Sequence, residues 1–143
     1  LIAGLTEDEY YDIVVLMTDA ELTRALERCE PPAAGFHHAD HLRVAWIYLQ
    51  EAPTVDEALA RMAATLRRFA AAVGQSGKYS DAITAFWIHQ MAAARAVMPG
   101  AACADVLRAY PRLLDKDLID AAPPGPADSP RDAPDWAVPR RPA

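Results

Sequence analysis

Long apolar runs are missing from this chain: no stretch approaches the ~20 residues needed to cross a bilayer, so a spanning helix is not expected. The apolar run from Ile13 to Met17 follows acidic residues rather than a basic segment, which argues against a secretory leader. Cysteine is scarce, with two in 143 residues. Cys29 and Cys103 fall in separate helical patterns and read as reduced core thiols of a cytoplasmic protein, with one bridge between them as the alternative. Clusters of Lys and Arg are also absent. With a net charge of −6 and a pI near 5.1, the chain is a poor match for nucleic acid or anionic lipid. Strand signals are nearly lacking, and there is no internal repeat. What remains suffices for one core: 52% hydrophobic residues, 24% charged and a mean hydropathy of −0.04 describe a single soluble globular domain. It is too short for a two-domain, two-substrate enzyme.

Spacing and caps predict an all-α fold, a small bundle of five to six helices over residues 1–120 with a Pro-rich arm over 121–143. Thr6 with Glu9 opens a helix reaching Met17, with Tyr10, Ile13, Val14 and Met17 on one face. That face is expected to dock on its own bundle or to form a homodimer across a two-fold axis. Thr18 with Glu21 opens the next, from Asp19 to about Glu30, stopped by Pro31-Pro32. A third helix runs from about His37 to Glu51. Thr54 and Glu57 cap a fourth, with Leu59, Met62, Leu66, Phe69 and Val73 as its stripe. Ser80 caps a fifth, ending before Pro99-Gly100, and Ala104 to Asp120 is helical but broken or bent at Pro111. The expected core includes Leu22, Leu26, Leu42, Trp46, Leu49, Ile83, Trp87 and Met91. The last 23 residues hold seven of the twelve prolines, a composition of disordered tails, yet Trp136 among them suggests an arm anchored on the bundle.

Of four histidines, three fall within the five residues from His37 to His41. At about 100° per residue, His37 and His41 share a face with Val44 and Tyr48. His38 points with Leu42 and Leu49, whereas Asp40, Arg43 and Gln50 read as a solvated face. Two imidazoles one turn apart can chelate one ion, and a helix N-terminus favours the neutral ring that binds metal. H-x-x-x-H alone is a weak motif, and a histidine on an apolar face is more often a core residue satisfied by hydrogen bonds. The helix opening at Ser80 adds Asp81, which shares a face with Ala85, Ile88 and His89. Two His and one carboxylate make a facial triad suited to Fe(II), whereas three His suit Zn or Cu. Tyr48, Tyr79 and Thr84 supply candidate hydroxyls.

Sharper motifs fail. The zincin pattern H-E-x-x-H has His38 where its glutamate belongs. No histidine has a glutamate three residues before it, as di-iron bundles require. Asp40 precedes His41, the reverse of the His-Asp order of HD-type phosphohydrolases. Gly74 to Gly77 lacks the phosphate-loop pattern, and there is no nucleophile elbow.

The stretch Phe36-His37-x-x-Asp40-His41-Leu42-Arg43-Val44-Ala45-Trp46, followed by Lys78-Tyr79-Ser80-Asp81-x-Ile83-Thr84, resembles a group of small uncharacterised helical bacterial proteins. The resemblance spans about Thr18 to His89, with an echo at Ser129-Pro130 and Trp136. In that group a His-Glu pair stands where this chain has Ser80-Asp81, so the carboxylate here is one methylene shorter. The resemblance implies helical packing of the two segments and brings no reaction with it. A looser likeness to DinB-type metal-binding bundles is one of fold alone.

The leading expectation is a small metal-dependent enzyme, a non-heme Fe(II)-type oxidoreductase acting on a small organic molecule. Its ligands would be His37, His41 and Asp81. His89 would be a further ligand or base, with Tyr79 and Tyr48 nearby. Fe(II) is preferred over Zn or Cu because the donor set mixes His with carboxylate. The rivals are a metal-free acid–base enzyme such as a cyclase or isomerase, and a non-catalytic helical protein that binds a ligand or partner.

Overall fold

A computed structural model describes residues 17–33 and 35–121. Among the described residues there are six α-helices and no strand: α1 (Asp19–Glu27), α2 (His38–Glu51), α3 (Val55–Ala72), α4 (Asp81–Val97), α5 (Cys103–Ala109) and α6 (Leu118–Ala121). Short 3-10 turns occur at Ser76–Lys78 and Pro111–Leu114. None of these helices is long and apolar enough to cross a membrane. The expected helix from Thr6 lies outside the described residues apart from Met17, as does the Pro-rich arm beyond Ala121.

The helix starts follow from local chemistry. Thr18 Oγ1 accepts from the Glu21 amide at 3.1 Å, Thr54 Oγ1 from Glu57 at 3.1 Å, and Ser80 Oγ from Ile83 at 3.2 Å. Each hydroxyl satisfies one amide that the first turn leaves without a helical partner. α1 ends earlier than its sequence pattern suggested. The Glu30 amide reaches back to the Ala25 carbonyl and Cys29 to that of Leu26, both at 2.9 Å, which turns the chain left-handed at Cys29. α3 ends in the same motif with Gly74 at the left-handed position. Pro111 breaks the last helical stretch, as its missing amide requires.

α2 is the central element and packs against α1, α3, α4 and α5. Leu42, Val44, Ala45 and Trp46 on it are at most 1% exposed, and they join Leu22, Leu26, Met62, Ile88 and Met91 in one core. α1 straddles its neighbours. It starts against α2, where Arg43 pairs with Asp19, and it ends against α3, where Arg68 donates to the Glu27 carbonyl at 2.9 Å.

Two expectations need correction. Asp40 and Arg43 are not a solvated face. Asp40 is buried, accepts from the His37 amide at 3.0 Å and pairs with Arg43, which also binds Asp19 and the Met17 carbonyl. A helix covered on four sides has little solvent face, and its charges must then be paired. Ile83, expected in the core, is 49% exposed because it sits in the first turn of α4 at the open end of the bundle. Val73, the last residue of the α3 stripe, is exposed at the same end.

Candidate functional site

The short connections 52–54 and 73–80 reverse the chain twice. α3 therefore runs antiparallel to both α2 and α4, and its C-terminal end lies beside the first turns of both. Two ring contacts fix the arrangement: Phe36, just before α2, meets Phe69 near the end of α3 at 5.8 Å between centroids, and Arg67 lies over the Tyr79 ring at 5.5 Å. A pocket of about 490 Å³ opens at this end. That size falls within the usual range for small-molecule sites.

Its walls come from every element that ends there. The connection after α1 contributes Pro31, Pro32, Gly35 and Phe36, and α2 contributes His41. α3 adds Met62, Leu66, Phe69 and Ala70, and α4 adds Ile83, Thr84 and Trp87. Polar groups concentrate in the segment between α3 and α4, where Gln75, Lys78, Tyr79 and Ser80 all line the opening.

His41 is the titratable base of this pocket. Its Nδ1 lies 3.1 Å from the His37 carbonyl. A carbonyl only accepts, so Nδ1 carries the proton and Nε2 is left as an acceptor. Burial lowers the imidazole pKa below 6.5, and the neighbouring His38 pushes it the same way. The His37 carbonyl and Asp40 act against the shift. The ring packs against Phe36 with centroids 4.2 Å apart. His41 is therefore a neutral imidazole at pH 7, with one lone pair available.

The other candidates are placed differently. His37 caps α2 and is exposed, and a Cβ built on Gly35 would stand 3.4 Å from its Nε2. Its ring thus folds back over the preceding loop. Asp81 is exposed and committed: Tyr79 donates to it at 2.7 Å and Arg67 pairs with it. Those two bonds, Tyr79 first, hold its carboxyl below the usual carboxylate range. The Tyr79 phenol is raised, by burial and then by its bond to Asp81. Tyr48 lies in the core, 2.7 Å from Thr65 Oγ1, and His89 is half-buried on α4; neither lines the pocket. Among the described residues no three His, Cys, Asp or Glu side chains gather as a metal-ligating group. His38 faces another way. Its Nε2 donates to the Leu113 carbonyl at 2.8 Å, and its ring contacts Trp87 at 4.3 Å. Neither cysteine is in a disulfide; burial pushes the Cys103 thiol up to about 12, which makes it inert.

The sequence thus brought His41, Tyr79 and Thr84 to one place. It named Phe36 and Lys78 only within the two resembling segments, not as pocket residues, and Phe69, Met62 and Trp87 only as core. Phe36 carried one usable signal: it is an isolated aromatic in a loop of Pro, Ala and Gly. No family model, curated protein or solved structure matches this chain.

Proposed function

We propose that this protein binds a small organic molecule at the end of its bundle and carries out metal-free acid–base chemistry on it, with His41 as the base. The observation behind this reading is a neutral imidazole, with Nε2 left as an acceptor, lining an open-ended, largely apolar pocket. In such a site Nε2 takes a proton from a C–H or O–H group of the guest and returns it at a second atom. This is the step of an isomerase or cyclase. The His37 carbonyl, bonded to Nδ1–H, steadies the imidazolium that forms between the two transfers. The Ser80 hydroxyl and the Lys78 ammonium are the groups at hand for charge left on the guest, since the Thr84 hydroxyl already donates to the Ser80 carbonyl.

The test uses ¹⁵N-labelled protein and a library of small organic acids and carbonyl compounds in D₂O. Guests that bind should shift the His41 ring and Trp87 indole signals. At least one class should exchange a C–H for deuterium, and His41→Gln should abolish the exchange while binding persists. Binding that leaves both signals unmoved, or exchange indifferent to His41→Gln, would overturn the reading.

A second reading keeps a divalent ion, Fe(II) ahead of Zn or Cu, and the same unprotonated Nε2 favours it. It requires His37 and Asp81 to turn from their present positions to join His41. Metal analysis of freshly purified protein separates the two readings: a near-stoichiometric metal lost in His41→Ala supports the ion.

A further inference from the structure

The pocket is polarised. Its lining includes buried Phe69, Trp87, Met62 and Leu66 and the half-buried ring of Phe36. Phe36 meets Phe69 edge-on, at 68° between planes, and stands beside the His41 ring. Aromatic walls set at steep angles offer both faces and edges to a flat guest, which a flexible alkyl chain uses less well. The mouth differs in charge. Lys78 lines it, is exposed, and has no ion-pair partner among the described residues. Asp81, the carboxylate next to the mouth, is already held by Arg67 and Tyr79. α4 also begins here, so its N-terminal dipole adds positive potential at the same place. A chain with a net charge of −6 therefore presents a locally positive opening to its pocket. Aromatic walls also suit organic cations. Here Lys78 and the start of α4 would repel one.

Resting on the reading that this pocket holds a small molecule, we propose that its guest is a flat aromatic acid. The ring lies among Phe36, Phe69 and Trp87, and the carboxylate sits at the mouth against the Lys78 ammonium and the Ser80 hydroxyl. Ser80 Oγ accepts from the Ile83 amide, so its own hydrogen is available to a carboxylate. In this orientation the ring, or a substituent on it, is what His41 faces.

The test is calorimetry with three probes of one shape: 2-naphthoate, its neutral amide, and a 2-naphthylmethyl trimethylammonium salt. The acid should bind tightest. Lys78→Met should weaken the acid by roughly threefold to tenfold, the range for a charge-assisted contact at a solvated rim, and leave the amide unchanged. Raising salt from about 50 to 500 mM should weaken the acid alone. The proposal is overturned if the amide or the cation binds as tightly as the acid. It is also overturned if Lys78→Met affects acid and amide alike, or if the acid shows no binding up to about 5 mM. Ala70→Phe, which fills the pocket from α3, tells this failure from that of the underlying reading. If acid and amide bind equally and both are lost in Ala70→Phe, the pocket stands and only the acid preference falls. If acid binding survives Ala70→Phe in a variant with full helical content, the acid binds elsewhere and both fall.

Discussion

The imidazole of His41 is tied to the backbone of His37, one helical turn earlier, with 3.1 Å between Nδ1 and the carbonyl oxygen. That bond fixes the tautomer, and the surrounding burial fixes the charge. Together they turn a residue at the start of a helix into a neutral imidazole that lines the pocket with Nε2 left as an acceptor.

Stability should register this. Burial holds the folded-state imidazole below 6.5, while the unfolded chain keeps that ordinary value. Between the two values the unfolded state binds a proton that the folded state does not. Stability should therefore fall as pH drops through a window that begins near 6.5 and ends at the depressed folded value, with no effect above it. Denaturant titrations at a series of pH values should show the loss, and His41→Leu should flatten it. An NMR midpoint for His41 at or above 6.5 would contradict the assignment.

Trp46 separates packing from polarity. It is 1% exposed at the centre of α2, and its indole Nε1 has no hydrogen-bond partner among the described residues. Trp46→Ala should cost about 3–5 kcal/mol through the cavity it leaves. Trp46→Phe should cost well under half as much, since it keeps an aromatic ring and removes an unpaired donor. Equal losses for the two would show that the indole nitrogen is satisfied in solution.

Cys29 adopts φ of 58°, a left-handed conformation that costs a residue with a Cβ about 1 kcal/mol or more. Cys29→Gly should raise stability by up to about 1 kcal/mol in chemical denaturation. A loss of stability would mean that the half-buried thiol contributes more packing than the backbone conformation costs.

His38 is expected to act as a tether rather than as a site residue. Its bond to the Leu113 carbonyl joins the start of α2 to the turn after Pro111. His38→Phe keeps the contact with Trp87 and removes the bond. Amides from 111 to 121 should then exchange faster, while those of α3 stay protected, as hydrogen–deuterium exchange would report. Unchanged exchange over that segment would show that buried Leu113 and Leu118 hold it alone.

Local features were legible and assembled ones were not. Thr18, Thr54 and Ser80 accept from the amides that the sequence pattern assigned them, because a cap depends on residues within one turn. The bundle end where the helices opening at His37 and Ser80 meet was also foreseeable, since short connections leave α3 little choice of direction. Asp40 and Arg43 misled because a helical wheel cannot tell how many neighbours a helix has, and α2 has four. Asp81 had the right chemistry for a ligand, but Tyr79 two residues before it donates to it, and Arg67 pairs with it across a loop whose path no spacing encodes. Lys78 and Phe36 acquire meaning only when chain segments far apart in sequence come to face one cavity.

The path of α1 has a thermodynamic consequence. The chain leaves α1 beside Arg68 on α3 and must return to begin α2, and the returning stretch carries the Pro31, Pro32, Gly35 and Phe36 wall of the pocket. A helix of nine residues is too short to persist alone, so α1 holds its shape only while docked. Docking of α1 and shaping of that wall are thus a single local equilibrium. A guest in the pocket should therefore raise protection of the α1 amides in hydrogen–deuterium exchange, although no α1 side chain reaches the pocket.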